Sequence, residues 1–192
     1  MEPLRILIAD DESIRMMSLR KQLVTLGHRV IAEASNGEEA AALAATTQPD
    51  LAILDIKMPI MDGIEAAQQI TRSRPIPIIL LTAYNEAELV ERAAQANISA
   101  YLMKPVAEED LLPAITLALI RFRQFEALRR EVSDLREALE ARKTIERAKG
   151  ILVRRLGLTE EEAFRRLQKQ SQDSNRKLAE VAEAIVMADR LL

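Results

Sequence analysis

The chain of 192 residues contains no cysteine and no tryptophan, and aromatic residues make up only 3% of it. The absence of cysteine excludes disulfides, thiolate metal sites and cysteine nucleophiles, and it is compatible with a reducing compartment. Because 48% of the residues are hydrophobic, the core must be built from Ala, Leu, Ile and Val. No apolar run approaches the length of a membrane span, and the first residues lack the basic start and apolar segment of a signal peptide. We therefore expect a cytoplasmic protein that does not enter a membrane.

Length and charge predict two parts that meet different partners. A chain of this length is expected to hold one full domain and a smaller module. Residues 1–107 carry 10 Lys and Arg against 14 Asp and Glu, a net charge of −4, whereas residues 142–192 carry 12 against 8, a net charge of +4. An acidic first half suits a cation site, and a mildly basic tail suits a polyanion. The single histidine, His28, is expected in a loop without a role as ligand or base.

Short apolar runs alternate with helical patterns in the first half of the chain. Gly27 is expected to end the first helix, and Asn85 with Glu88 to open the fourth. Strands are predicted at residues 4–9, 30–34, 51–55, 76–81 and 98–103. Five rounds of strand and helix imply right-handed crossovers and a parallel sheet covered by helices on both faces.

Polar side chains follow four of these strands: Asp10 and Asp11, Asp55, Thr82 and Lys104. The carboxyl ends of parallel strands share one edge, where ligands bind in open α/β sheets. Three carboxylates there would repel one another, and Mg²⁺ is the cation that suits such oxygen ligands and phosphoryl groups. Thr82 and Lys104 can then contact phosphoryl oxygens, which leaves Asp55 as the nucleophile of an acyl phosphate. The alternative for Asp55 alone is a solvated turn residue.

Residues 4–120 resemble the receiver domain of two-component response regulators. The motifs that carry the resemblance are Asp10-Asp11, Asp55 with Met58-Pro59 and Asp62-Gly63, Thr82-Ala83, and Lys104-Pro105. The resemblance implies a flavodoxin-like, doubly wound sheet of five parallel strands. It also implies that a histidine kinase phosphorylates Asp55, and that Mg²⁺ is held by Asp10, Asp11, Asp55 and the backbone carbonyl of Lys57.

The same resemblance assigns Thr82 and Tyr101 as the pair that switches on phosphorylation. From the residues alone, Tyr101 would be a half-buried strand aromatic. The Lys104-Pro105 bond is a candidate for the cis form. We expect a phosphoacceptor that transfers a phosphoryl group only to its own Asp55, and not an enzyme.

A long helix is predicted to leave the receiver. Its apolar residues recur with heptad spacing, at Leu111, Ala118, Phe125, Val132 and Leu139, with Ile115, Phe122, Leu128 and Leu135 between them. Pro113 lies near the helix start, where its missing N–H is tolerated. We predict a coiled coil that pairs two copies in parallel, a homodimer favoured by phosphorylation. Packing of the helix onto the tail of the same chain is the alternative.

The tail from residue 142 reads as three short helices, a small all-α bundle. Residues 147–152, 158–165 and 175–182 resemble the ANTAR module, the RNA-binding output domain of antitermination regulators of the AmiR and NasR type. The resemblance, with the basic residues between the apolar stripes, predicts RNA contacts at Lys149, Arg154, Arg155, Arg165, Arg166, Asn175, Arg176 and Lys177. We predict a receiver at 1–120, a long coiled-coil helix at 108–141 and an ANTAR domain at 131–192.

Three functions compete at this point. The favoured one is a phosphorylation-dependent antiterminator that binds RNA hairpins of nascent transcripts. The second is a DNA-binding response regulator, although the tail shows no evident recognition helix. The third is a receiver that controls a partner protein, with the tail as a docking bundle.

Overall fold

The computed structural model describes residues 2–83 and 98–190, which belong to two compact units, residues 1–126 and 127–192. The described strands are β1 (Arg5–Ala9), β2 (Arg29–Ala34), β3 (Leu51–Asp55), β4 (Ile78–Thr82) and β5 (Ala100–Met103). The described helices are α1 (Ser13–Thr25), α2 (Gly37–Thr47), α3 (Gly63–Ser73), α4 (Glu108–Leu156), α5 (Glu160–Ser174) and α6 (Leu178–Arg190). None of these helices combines the length and the apolar character that crossing a bilayer needs.

The strands form one parallel sheet in the order β2-β1-β3-β4-β5. The central strand β3 is buried along its whole length because it has strands on both edges and helices on both faces. Alternate residues of the sheet enter two separate cores, one with α2 and α3, the other with α1 and the start of α4. This arrangement confirms the predicted doubly wound fold.

Two strands begin later than the apolar pattern predicted. β4 starts at Ile78 rather than at residue 76, and β5 starts at Ala100 rather than at residue 98. Pro75 and Pro77 explain the first difference, because proline has no N–H to donate to a sheet. The predicted helix at Asn85 lies outside the described residues.

Turn residues end and begin the helices of the first unit, and Gly27 does so as predicted. Gly27, with φ +84°, follows the end of α1. Asn36 and Asp62 cap α2 and α3 by accepting hydrogen bonds from the N–H groups of Glu39 and Glu65. The Lys104-Pro105 bond is cis, as predicted.

The long helix is longer than predicted. α4 continues without a break from Glu108 to Leu156, so the first helix of the predicted tail bundle is its carboxyl end. No proline or turn sequence interrupts residues 114–149, which explains why the helix does not stop near residue 140. In the second unit, Ala148, Leu152, Ala163, Leu167 and Val181 form a core between α4, α5 and α6. Thr159 and Glu162 make a reciprocal capping box at the start of α5.

Candidate functional site

Asp55 lies at the carboxyl end of the buried central strand and is itself buried. The chain turns back directly behind it, and the N–H of Gly63 donates to the carbonyl of Ile56 at 2.9 Å. A Cβ on Gly63 would lie 2.0 Å from the carbonyl oxygen of Asp55. Only glycine therefore allows α3 to begin this close to the strand end. The backbone N–H of Lys57 hydrogen-bonds to the Asp55 carboxylate.

Lys104 joins two carboxylates at this edge of the sheet. Its Nζ lies 2.6 Å from Oδ2 of Asp55 and 3.2 Å from Oδ2 of Asp10. Burial raises the pKa of the Asp55 carboxyl, and Asp10 adds to the rise, whereas Lys104 and the Lys57 N–H act to lower it. Lys104 therefore favours the ionised, nucleophilic form of Asp55 against the effect of burial.

The carboxylates of Asp10, Asp11 and Asp55 each place an oxygen within 4.8 Å of the others. Oxygens around an octahedral Mg²⁺ are about 2.9 to 4.2 Å apart, given Mg–O distances of about 2.0 to 2.1 Å. The three side chains therefore fit this ion after a small contraction, and their hard oxygen atoms suit it chemically. Asp10 and Asp55 are buried and Asp11 is exposed, so the group opens to solvent on one side.

The second unit presents many cations on one small bundle. Residues 142–192 carry 12 Lys and Arg. Several of these side chains hold the bundle together by ion pairs, and others have no acidic partner among the described residues. A surface that combines a net positive charge with free cations is suited to a polyanion.

Comparison with known families identifies both units. Residues 6–116 match the response regulator receiver domain, and residues 133–186 match the ANTAR domain. The chain belongs to the response regulators that join a receiver to an ANTAR domain. This response regulator is thus a regulator of the antitermination type, as the first of the three predicted functions states.

Individual relatives agree with this assignment. The transcriptional regulatory protein PdtaR of Mycobacterium tuberculosis (strain ATCC 25618 / H37Rv) is 46% identical over 184 residues, which is 96% of this chain and 90% of PdtaR. The signal receiver domain of a modulated diguanylate cyclase from Desulfovibrio desulfuricans G20 superposes with a TM-score of 0.60 at 34% identity, covering 64% of this chain and 98% of that one. The CheX-CheY complex with BeF3 and Mg²⁺ from Borrelia burgdorferi gives a TM-score of 0.56 at 27% identity, covering 59% of this chain and 87% of that one.

The receiver of this response regulator brings together most of its predicted site residues. Asp10, Asp55 and Lys104 are in direct contact, and Asp11 lies beside them. Thr82 ends the neighbouring strand, and its hydroxyl donates to the carbonyl of Ala83 at 3.2 Å.

Tyr101 does not share this buried position. It lies on β5, two residues before the partner of Thr82 in the register, and its side chain is 36% exposed. Burial of the remainder raises the pKa of its phenol. The alternation of buried and exposed residues along β5 places Tyr101 on the more open face of the edge strand.

One member of the site, Arg15, was missed by the sequence reasoning. Its Nε lies 3.1 Å from Oδ1 of Asp10, and its terminal nitrogen lies 3.3 Å from Oδ1 of Asp11 and 2.7 Å from Oε1 of Glu12. Burial acts to lower the pKa of the guanidinium, but the charges of Asp10, Glu12 and Asp55 raise it overall. The spacing of four residues between Asp11 and Arg15 at a helix start is the signal that could have revealed it.

The predicted RNA-binding residues comprise four paired cations, three cations unpaired among the described residues, and the helix-capping Asn175. Four of them make ion pairs: Lys149 with Glu146 and Glu160, Arg155 with Asp189, Arg165 with Glu161, and Arg176 with Glu180. The Lys149 side chain is only 14% exposed, and its ion pair with Glu160 links α4 to α5. Arg154, Arg166 and Lys177 are exposed and have no ion-pair partner within the described ranges. Asn175 ends α5 in the left-handed conformation, with φ +51°.

The predicted heptad seam is divided between two environments. Leu111, Ile115 and Ala118 are fully buried in the receiver core. From Phe125 to Leu139 the seam residues are instead 40% to 64% exposed. The amino end of the apparent coil is therefore a receiver helix, and the carboxyl end is an apolar face that is largely exposed to solvent.

Proposed function

We propose that Asp55 accepts a phosphoryl group from the phosphohistidine of a sensor kinase, and that this modification controls binding of the ANTAR domain to RNA hairpins. The observation that carries the proposal is the contact of Lys104 with Asp55 at 2.6 Å beside the carboxylates of Asp10 and Asp11. This contact brings a nucleophile, a cation and a set of metal ligands together at the edge of the sheet where the parallel strands end.

The transfer uses the chain's own residues in distinct roles. An Asp55 oxygen attacks phosphorus, an O–P bond forms as the P–N bond breaks, and the electron pair stays on the imidazole nitrogen, which takes up a proton. Lys104 then pairs with a phosphoryl oxygen in place of the free carboxylate, and Thr82 donates its hydroxyl to another. Asp10, Asp11, Asp55 and the Lys57 carbonyl would hold Mg²⁺, which when bound would supply positive charge to neutralise the phosphoryl oxygens.

Apolar side chains around the site support a docking surface for the kinase. Ile14 and Met17 on α1 and Ile60 in the loop after β3 are 66% to 79% exposed. Ile14 and Met17 follow Asp10 and Asp11 in the chain, and Ile60 follows Asp55. Large exposed apolar groups on segments that carry a reactive centre are typical of a protein contact. We assign this surface to the histidine-bearing domain of the sensor kinase.

The RNA surface is assigned to the ANTAR cations that lack acidic partners. Besides Arg154, Arg166 and Lys177, the side chains of Arg147 and Lys169 have no ion pair in the described part of the chain. Free cations can contact phosphates without first breaking an internal pair. Lys149, Arg155, Arg165 and Arg176 are expected to contribute less to RNA affinity, since each must leave a carboxylate.

The exposed part of α4 is assigned to a parallel homodimer. With Phe125, Val132 and Leu139 at the first core position of the heptad, Leu128 and Leu135 occupy the second. Glu131 then lies at the flanking position that faces Arg136 of the partner subunit, so two opposite-charge pairs would form in register. The apolar exposure and this charge pattern support pairing of two copies over packing onto the tail.

The proposal is tested with Asp55→Asn, which removes the nucleophile and keeps the side-chain shape. The parent protein should take up phosphate from acetyl phosphate and should bind a two-hairpin RNA, selected from a random pool, more tightly afterwards. The variant should show neither response and should keep the parent's circular dichroism spectrum. Labelling of the folded variant at the parent's rate would show that Asp55 is not the acceptor.

A further inference from the structure

The guanidinium of Arg15 occupies the carboxylates that are assigned to Mg²⁺. It contacts Oδ1 of Asp10 through Nε at 3.1 Å and Oδ1 of Asp11 through a terminal nitrogen at 3.3 Å. Among the described residues it is the basic side chain that bridges both of these carboxylates. A contact with Glu12 at 2.7 Å anchors the same terminal nitrogen.

The oxygens of Asp10 are already in use. Oδ1 accepts the N–H of Glu12 at 2.9 Å as well as Arg15 Nε, and Oδ2 contacts Lys104 at 3.2 Å. Asp10 is buried, so water does not readily replace a lost partner. A divalent ion that draws on Asp10 and Asp11 must therefore compete with a cation that is already bound to both.

Arg15 differs from Lys104 in how easily it can be displaced from the carboxylates it contacts. The Lys104 side chain is 15% exposed and pairs with Asp55, where the phosphoryl group arrives. Arg15 is 39% exposed. The guanidinium can therefore move out into solvent when it is displaced.

We propose that Arg15 is a built-in counter-cation of the acidic pocket, which holds Asp10 and Asp11 in the metal-free protein and is displaced when Mg²⁺ binds. The inference rests on the Mg²⁺ site of the proposed function. A guanidinium and a divalent ion on the same two carboxylates repel each other strongly. Arg15 thus sets the Mg²⁺ concentration at which the receiver becomes competent for phosphorylation.

Two consequences follow from this competition. Removing Arg15 should strengthen Mg²⁺ binding, because the ion no longer displaces an internal partner. It should also destabilise the metal-free protein, because Asp11 and Glu12 then lose their counter-charge and Asp10 keeps only Lys104. By linkage, the stabilisation of the fold by Mg²⁺ must be larger in the variant than in the parent.

The test is a calorimetric titration of the full chain with MgCl₂, comparing the parent with Arg15→Gln. We expect the variant to bind Mg²⁺ about two- to fivefold more tightly, the range that follows from the typical strength of a partly exposed ion pair. Arg15→Lys keeps the charge but cannot span two carboxylates, and should give an intermediate affinity. Arg20→Gln is the matched control, since Arg20 lies on the same helix and pairs with Glu33 instead.

Thermal unfolding with and without MgCl₂ gives a second readout that does not depend on phosphorylation. Arg15→Gln should unfold at a lower temperature than the parent without Mg²⁺ and should gain more from its addition. An unchanged or weaker Mg²⁺ affinity in a folded Arg15→Gln protein would overturn the role of Arg15 alone. If the parent itself binds no Mg²⁺, the metal site of the proposed function fails, and the competition fails with it.

Discussion

At the scale of single residues, Gly63 shows how closely the phosphoacceptor is built into the backbone. A Cβ at this position would meet the Asp55 carbonyl oxygen at 2.0 Å and its carbon at 2.9 Å, and both are backbone atoms that cannot turn aside. Gly27 differs, because its φ is +84° but open space surrounds its Cβ position. The two glycines are therefore required for different reasons.

We predict that Gly63→Ala destabilises the receiver by about 1 to 3 kcal/mol or more, as expected when atoms are forced into a packed site. Gly27→Ala should cost only about 1 kcal/mol, since it carries backbone strain without a clash. Urea unfolding of both variants measures the difference. A smaller loss for Gly63→Ala than for Gly27→Ala would contradict the close approach of α3 to Asp55.

His28 is more than the loop residue that was predicted. It precedes β2 in a loop, but its side chain is buried, and its Nδ1 accepts the N–H of Leu4 at 3.3 Å. Its Nε2 has no hydrogen-bond partner among the described atoms. Burial lowers the pKa of His28 below its usual value. Protonation would also turn Nδ1 into a donor that faces the N–H of Leu4, which is another donor.

The pH dependence of stability follows from this lowered pKa. The folded state holds His28 neutral while the unfolded chain takes up a proton near pH 6.5, so the contribution is complete above about 6.5 and is lost as the pH falls. We predict that the free energy of unfolding decreases as the pH is lowered through about 6.5, from about pH 7 to about pH 5.5. His28→Gln should weaken this decrease when urea unfolding is repeated across the same range. An equally steep decrease in His28→Gln would assign the effect to other groups.

Some site residues could be predicted from the sequence and others could not. The difference is whether the backbone or a long side chain determines where the functional group lies. Asp10, Asp55 and Lys104 were predictable because parallel strands end at one edge, which the order of apolar runs already implies. The contacts of Arg15 were not, because a long side chain can reach several partners. Which partners Arg15 contacts depends on which nearby carboxylates the fold leaves without another counter-charge.

At the scale of elements, α4 shows the limit of apolar periodicity. Leu111 and Ala118 follow the same seven-residue spacing as Val132 and Leu139, yet the first pair is buried in the receiver and the second pair is exposed. A heptad pattern indicates an apolar face but does not identify what covers it. The alternation of apolar runs with helical patterns predicted the sheet well. A strand that is buried on both faces needs a short continuous apolar run, and few other sequences meet that need.

Local packing does not require a glycine at Gly150, which lies inside α4. A Cβ there would meet only the end of the Arg154 side chain at 3.6 Å among the described residues, which is an ordinary contact. We predict that Gly150→Ala stabilises the ANTAR unit by about 0.5 to 1 kcal/mol, because alanine is the better helix former. Thermal unfolding followed by circular dichroism measures the change.

The control for this helix substitution is Gly157→Ala. Gly157 ends α4 with φ +65°, so alanine there should reduce stability. A loss of stability in Gly150→Ala would mean that this face of the helix packs against a further surface.

At the scale of the whole molecule, the proposed control of RNA binding by phosphorylation requires a change that both domains share. One small basic domain offers few phosphate contacts, so a single copy would hold RNA weakly. Two tethered copies make the second contact intramolecular, which can raise overall affinity by about 10² to 10⁴ without new contacts. Dimerisation through α4 would therefore convert phosphorylation of Asp55 into RNA binding, and RNA with two hairpins must favour the dimer in return.

We predict that Val132→Glu with Leu139→Glu removes the response of RNA binding to phosphorylation while leaving the labelling of Asp55 intact. Four carboxylates would face one another across the paired seam, where charge is poorly tolerated. Sedimentation should show a monomer after acetyl phosphate treatment, and a two-hairpin RNA should bind with the affinity of a single copy. Ala127→Glu with Ser133→Glu adds the same charge outside the two core positions and should retain the response. If the seam variant bound the paired hairpins as tightly as the phosphorylated parent, α4 would not be the coupling element.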